Sequence, residues 1–199
     1  MASQSLLVAP DVYLKTGIHI GAKFKTKYME SFIYKTRPDG LSVLNIQKID
    51  ERIKLAANLL ANYDPSDIIV CGRRETGFKP ISMFAKVTGT KGIVGRYPPG
   101  ILTNPSLANF IEGKIIVISD PWPDRNAIND AIKIGIPIIA LTDTNNQANL
   151  IDLMVPCNNK GKKSLGIVFY LLAREYMISR GMISSANDFT YTINDFTEE

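Results

Sequence analysis

The chain has 199 residues, 45% of them hydrophobic and 21% charged, with a formal net charge of +4. That length suits one well-buried domain and is short for two, and no stretch reaches the roughly 18 to 20 apolar residues of a membrane helix. The excess of Lys and Arg leans towards an anionic partner. The start, MASQSLLVAP, lacks the basic region and apolar segment of a secretory signal, so a cytoplasmic protein is expected.

Residues 1–16 read as a short arm or helix laid on the body. From Gly17 to Gly40, GIHIGAKFKTKYMESFIYKTRPDG interleaves Lys23, Lys25, Lys27, Lys35 and Arg37 with Phe24, Tyr28, Phe32 and Tyr34. Residues 31–35 can form a strand, Pro38-Asp39-Gly40 a turn, and residues 41–44 the returning strand, which predicts a basic N-terminal hairpin. Asn45 suits an N-cap. Ile46, Ile49, Ile53, Ala56, Ala57 and Leu60 then mark one face of a helix that Asp64-Pro65-Ser66 ends. Residues 67–71 form a buried strand, and Phe78, Ile81, Phe84, Ala85 and Val87 outline a helix between Gly77 and Gly89. A short strand at 91–95 leads into a Pro- and Gly-rich loop that runs to Pro105.

Ile115-Ile116-Val117-Ile118 is an uninterrupted β-branched run, suited to a strand buried on both faces. Ser119-Asp120-Pro121 stops it, because proline removes a donor and biases Asp120 away from helix. Ala127, Ile128, Ala131, Ile132 and Ile134 fall at helical spacing up to Gly135, a fitting helix end. Ile138-Ile139-Ala140-Leu141 is a second buried strand, closed by Thr142-Asp143, so the segment is a parallel βαβ unit. A further strand is expected over 149–155. A long helix follows, carrying Leu165, Ile167, Val168, Leu171, Leu172, Tyr176 and Ile178 and ending at Gly181. The remainder, SSANDFTYTINDFTEE, has acids and no Lys or Arg, and reads as a loosely held acidic tail. The alternation predicts an α/β fold: a doubly wound, mainly parallel sheet with helices on both faces. One domain spans 1–199, divided into arm and hairpin (1–44), body (45–183) and tail (184–199).

Signals for catalysis are sparse. Gly161-Lys162-Lys163-Ser164 lacks the first glycine of a nucleotide-binding P-loop. Gly72 and Gly77 fall where a dinucleotide fingerprint would sit, but a third glycine is missing and Arg73 and Arg74 intervene. His19 is the single histidine and has no neighbouring nucleophile, so a structural role is preferred. Cys71 and Cys157 read as small buried hydrophobes of a reducing compartment, and no Cys/His set has metal spacing. Asp120 and Asp143 end adjacent strands, where they could bind Mg²⁺ or act as paired carboxylates; capping the next turn is favoured. Trp122, between two prolines, could stack a base, but plugging the top of the sheet is preferred.

The basic residues are more coherent. Lys23, Lys25, Lys27, Lys35 and Arg37 of the hairpin, Arg73 and Arg74 with Lys79, then Lys91, Arg96, Lys160, Lys162 and Lys163 fall mostly near element ends. Cations so placed can meet phosphates, which predicts recognition of a folded nucleic acid by shape and charge.

Four segments carry a resemblance: GIHIGAKFKTKYMESFIYKTRPDGLSVLNIQKIDERI (17–53), RYPPGILTNP (96–105), DPWPDRNAINDAIKIGIPIIALTDT (120–144) and VPCNNKGKKSLGIVFYLLARE (155–175). In this order, over most of the chain, they resemble the small-subunit ribosomal protein two family in its archaeal and eukaryotic form. The absence of an inserted helical hairpin and of a long C-terminal extension points to the archaeal type. The resemblance implies a Rossmann-like sheet without catalysis or cofactor. It also implies binding to small-subunit ribosomal RNA and neighbouring ribosomal proteins, with no membrane and no small-molecule substrate. It adds Asn104, in the LTNP motif, to the RNA-binding set, and demotes Asp120 and Asp143 to turn and cap residues. Ile101 departs from the family's PGTLTN pattern, which removes a hydroxyl from that loop.

Overall fold

A computed structural model describes residues 6–197. After a short helix, α1 (Pro10–Thr16), two antiparallel strands form the hairpin, β1 (Ile33–Thr36) and β2 (Ser42–Leu44). Residues 20–22 lie along the free side of β2. Ile20 bridges Val43, Gly21 N–H donates to the Ser42 carbonyl, and Ser42 N–H returns to Ala22.

The body is a five-stranded, wholly parallel sheet in the order β4-β3-β5-β6-β7. Its strands are β3 (Ile68–Gly72), β4 (Lys91–Val94), β5 (Ile115–Ile118), β6 (Ile138–Thr142) and β7 (Leu153–Pro156). The order reverses between β3 and β5, the switch point of a doubly wound sheet. The helices are α2 (Ile46–Ala61), α3 (Phe78–Thr88), α4 (Arg125–Ile134) and α5 (Lys162–Ser179). Asn45 caps α2 as expected, its side chain accepting from Gln47 N–H. Gly135 ends α4 at φ 74°, a left-handed conformation that favours glycine.

Alternate strand residues feed two cores. Ile68, Val70, Ile115, Val117, Ile139, Leu141 and Val155 face one side, where α2, α3 and α5 cover them. Ile69, Cys71, Ile116, Ile118, Ile138 and Ala140 face the other, covered by α4 and by Tyr97, Ile101 and Leu102 of the Pro/Gly loop. The second layer is therefore half helix and half loop. Burial of Ile101 in that core explains why an apolar side chain is tolerated there. Asp130 of α4 fastens the loop, accepting from Gly100 N–H at 2.8 Å and from the Tyr97 hydroxyl at 3.2 Å.

Three expectations need correction. Residues 149–152 are a turn rather than the start of a strand, and the strand begins only at Leu153. Of the apolar pair, Ile151 packs against the second core without extended backbone, while Leu150 is exposed. On α4, Ile132 and Ile134 are exposed, because a ten-residue helix lying along the sheet buries only the arc through Ala127, Ile128 and Ala131. The tail is also not loose as far as it is described. Phe189 and Phe196 are buried, both packed edge-on against Tyr170, and Lys79 Nζ donates to the Thr197 carbonyl at 2.6 Å. The acidic Glu198 and Glu199 lie outside the described residues, as does the start of the N-terminal arm.

This C-terminal strap depends on Gly166 of α5. A Cβ there would stand 2.8 Å from Thr197 Oγ1 and 3.1 Å from the Phe196 carbonyl oxygen. Gly166→Ala is expected to release the strap while the body stays folded, since alanine inside a helix gains up to about 1 kcal/mol over glycine. Limited proteolysis should then cut within 184–197 in the variant at least tenfold faster than in the parent chain. Equal cleavage rates would refute the dependence.

Candidate nucleic-acid interface

In a parallel sheet all carboxyl ends lie on one edge, and here that edge gathers nine of the thirteen basic residues expected to meet phosphates. Arg73 and Arg74 follow β3, Arg96 follows β4, and Lys160, Lys162 and Lys163 follow β7. The loop holding Lys23, Lys25 and Lys27 is pinned to the same edge by residues just beyond β6. Thr144 is fully buried; its Oγ1 accepts from Ala22 N–H at 2.9 Å and contacts the Phe24 carbonyl at 3.1 Å. Thr26 N–H donates to the Thr144 carbonyl at 2.9 Å, and Thr26 Oγ1 to the Asn146 carbonyl at 2.8 Å. With Thr26 turned inward, Lys23, Phe24, Lys25, Lys27 and Tyr28 are left exposed on a fixed backbone.

Other expected contacts lie elsewhere or have protein partners. Lys91 opens β4, so it sits on the opposite edge, where its Nζ donates to the Glu112 carbonyl. Lys35 and Arg37 belong to the hairpin; Arg37 pairs with Asp39 at 3.4 Å, and Lys35 stands over Tyr34. Lys79 holds the strap. Asn104 is exposed in the loop over the second face, its side-chain oxygen accepting from Ser106 N–H.

The crevice at the strand ends is filled by a polar network. Asp120, almost fully buried, accepts from Arg74 Nε at 2.6 Å, Trp122 N–H at 3.1 Å and Asn146 Nδ2 at 3.2 Å. Asn146 Oδ1 in turn accepts from Asp143 N–H and from Asn159 Nδ2, which also reaches the Leu141 carbonyl. Asp143 accepts from Lys160 Nζ at 2.7 Å and from Thr144 N–H at 2.6 Å. Arg74 and Lys160 thus answer buried carboxylates, and the two acids tie β5, β6 and β7 together rather than converging on a substrate. Asn146 and Asn159 are the network's hubs. Asn-rich stretches read as turns, and nothing in a buried amide's sequence context gives it a periodic signature.

At Gly72, which ends β3, the packing admits no side chain. The space beside Gly72 is taken by Ser119 Oγ and Ile81 Cδ1, which would stand 2.5 and 2.4 Å from a Cβ. Among the described residues, no group of three His, Cys, Asp or Glu is placed to hold a metal ion, and no helix is long and apolar enough to cross a membrane. Cys71 and Cys157 are free and buried, and desolvation pushes both thiols well up. Next to Cys71, burial raises the Asp124 carboxyl to about 6; the nearby Asp120 charge adds to this, and Arg73 N–H, at 3.4 Å, works against it. Among the described residues His19 Nδ1 is buried without a partner, and its ring lies in an apolar groove with Leu14, Ile20 and Val43.

Trp122 contradicts its expected place. Pro121 is buried and turns the chain outward, leaving the indole 73% exposed instead of plugging the sheet. It borders a groove of about 390 Å³ with Arg125, Asn145, Gln147 and Asn149.

The Ribosomal protein S2 family model matches residues 108–177, from the loop before β5 through most of α5. The small ribosomal subunit protein uS2 of Picrophilus torridus is 46% identical over 98% of both chains. Its counterpart in Thermoplasma volcanium is 47% identical over 97% of both. That of Saccharolobus solfataricus is 47% identical over 96% of this chain and 83% of its own. Identity at this level across nearly the whole length leaves one assignment: the chain belongs to the ribosomal protein S2 (uS2) family.

Proposed function

We propose that this protein is a structural constituent of the small ribosomal subunit in the cytoplasm, without catalysis, and that it binds ribosomal RNA and neighbouring ribosomal proteins in support of translation. The observation that carries this reading is the end-to-end similarity, at 46 to 47% identity, to proteins named for that subunit. Two physical features support it. Positive charge collects on one edge of the sheet, and the buried carboxylates of the strand-end crevice are answered by the chain's own Arg74 and Lys160.

The RNA-facing set is proposed as Lys23, Lys25, Lys27, Arg73, Arg96, Lys162 and Lys163, all exposed on that edge. Arg74 and Lys160 contribute their residual charge beside Asp120 and Asp143, while Lys35, Arg37 and Asn104 form flanking contacts. Lys79 and Lys91 serve the protein's own backbone. Protein neighbours would meet surfaces away from this edge.

The test is sedimentation of tagged protein in cell extract through sucrose gradients. Co-migration with the small subunit is expected at low salt. Release should grow as salt rises, because counterions compete with each phosphate contact and affinity falls with slope roughly −0.7 to −0.9 per phosphate. Protein that stays at the top of the gradient at low salt would sink the reading.

A further inference from the structure

The groove beside Trp122 and the Lys23–Tyr28 loop flank one and the same turn, residues 144–147. The loop hangs from Thr144 and Asn146, while Asn145, Asn146 and Gln147 form one wall of the groove. Trp122 is the only tryptophan in the chain. It is 73% exposed, and its backbone N–H is fixed on Asp120, so the indole stands on a rigid base. Burying a tryptophan is ordinarily favourable, since an aromatic side chain carries a large apolar area. Here it forms an open wall, opposite amide side chains and next to Arg125.

From this arrangement we propose that the groove holds an unpaired nucleotide of RNA, its base stacked on the Trp122 indole. The inference rests on the RNA-binding reading above and adds a mode of recognition to it. A flat indole supplies a stacking face for any base, worth roughly 10- to 100-fold in affinity. Asn145, Gln147 and Asn149 offer both donors and acceptors to a base edge. Phosphates on either side of the base meet Arg125 and the exposed lysines of the pinned loop. A paired helix cannot supply this contact, because its bases are already stacked inside the duplex, and single-stranded loops and bulges are where proteins reach RNA bases. Phe24 and Tyr28, exposed on the loop across the turn, extend the same platform to a following base.

The chain carries its own reporter. The full-length protein is titrated with small-subunit ribosomal RNA stripped from the organism's own subunits, and both binding and tryptophan emission are followed. Saturable quenching of Trp122 in step with binding is expected. Trp122→Ala should weaken binding roughly 10- to 100-fold with the salt slope unchanged, and Trp122→Phe should retain most of the affinity. Lys25→Ala should instead lower the slope by about 0.7 to 0.9. Because the indole lies outside both cores, circular dichroism and melting temperature should be unaltered in the tryptophan variants. If the parent chain binds RNA with salt dependence while Trp122 emission and Trp122→Ala affinity stay unchanged, the stacking site is refuted and the general reading survives. Emission that responds only when protein neighbours are added would give the groove to a protein and overturn the proposal. Failure of the parent chain to bind the RNA at all would strike the underlying reading itself.

Discussion

Asp120→Ala is expected to lower the stability of the folded chain by about 3 kcal/mol, the largest loss among changes at the strand ends. Removing one member of a buried ion pair ordinarily costs about 3 to 5 kcal/mol, because the other charge is left without a counterpart. Arg74 is one-third exposed and can recover water, which places the loss at the lower end. The rest comes from Asn146, whose Nδ2 would lose its acceptor inside the network that also fixes Asp143 and Asn159. For a chain of this size the melting point should fall by roughly 6 to 12 °C. Arg74→Ala should cost less alone, and the double variant less than the sum of the two, since the second change removes the partner the first one stranded. Strict additivity in thermal denaturation would show that the pair is not coupled.

Asp124→Asn is expected to act in the opposite direction. The carboxyl is buried with Oδ1 unpartnered among the described residues, and its pKa stands at about 6 against the ordinary 3.8. The folded chain therefore holds this proton more tightly than the unfolded chain does. Between pH 3.8 and 6 the native state binds more protons, so stability falls as pH rises through that window. Above it the full penalty of a buried charge is present. Each pKa unit corresponds to about 1.4 kcal/mol, so the amide should stabilise the protein near pH 7 by about 1 to 3 kcal/mol. Urea denaturation of parent and variant at pH 4 and pH 7 decides the matter. The gain should be present at pH 7 and largely gone at pH 4, and a variant equally stabilised or destabilised at both would contradict the assignment.

The two aspartates show where sequence reasoning reaches and where it stops. Strands β3, β5 and β6 were legible because a strand buried on both faces must be apolar at every position, and the runs around Val70, Val117 and Ile139 satisfy that. Helix α2 was legible from its cap and stripe. The strap was not. Its charges drew the reading towards a solvated tail, while Phe189 and Phe196 decide the outcome through a groove that exists only after α3 and α5 have met. At the candidate interface, the cations could be picked out by composition and by position near element ends. That Arg74 and Lys160 are claimed by buried acids, and that Lys91 sits on the far edge, follows from the parallel topology and from pairings across dozens of residues. Trp122 stands outside for a similar reason: the buried proline before it sets its direction, and no window of the sequence reports that.

The strap also bears on the order of events at the moment of synthesis. Chains fold in the direction they are made, amino-terminal elements first. Residues 184–197 are the last described segment to leave the exit tunnel, after both helices that form their seat. Without residues 184–197, Tyr170 and the hollow at Gly166 would be left uncovered. The last segment to be made therefore completes the seat it occupies, closing Phe196 over Tyr170.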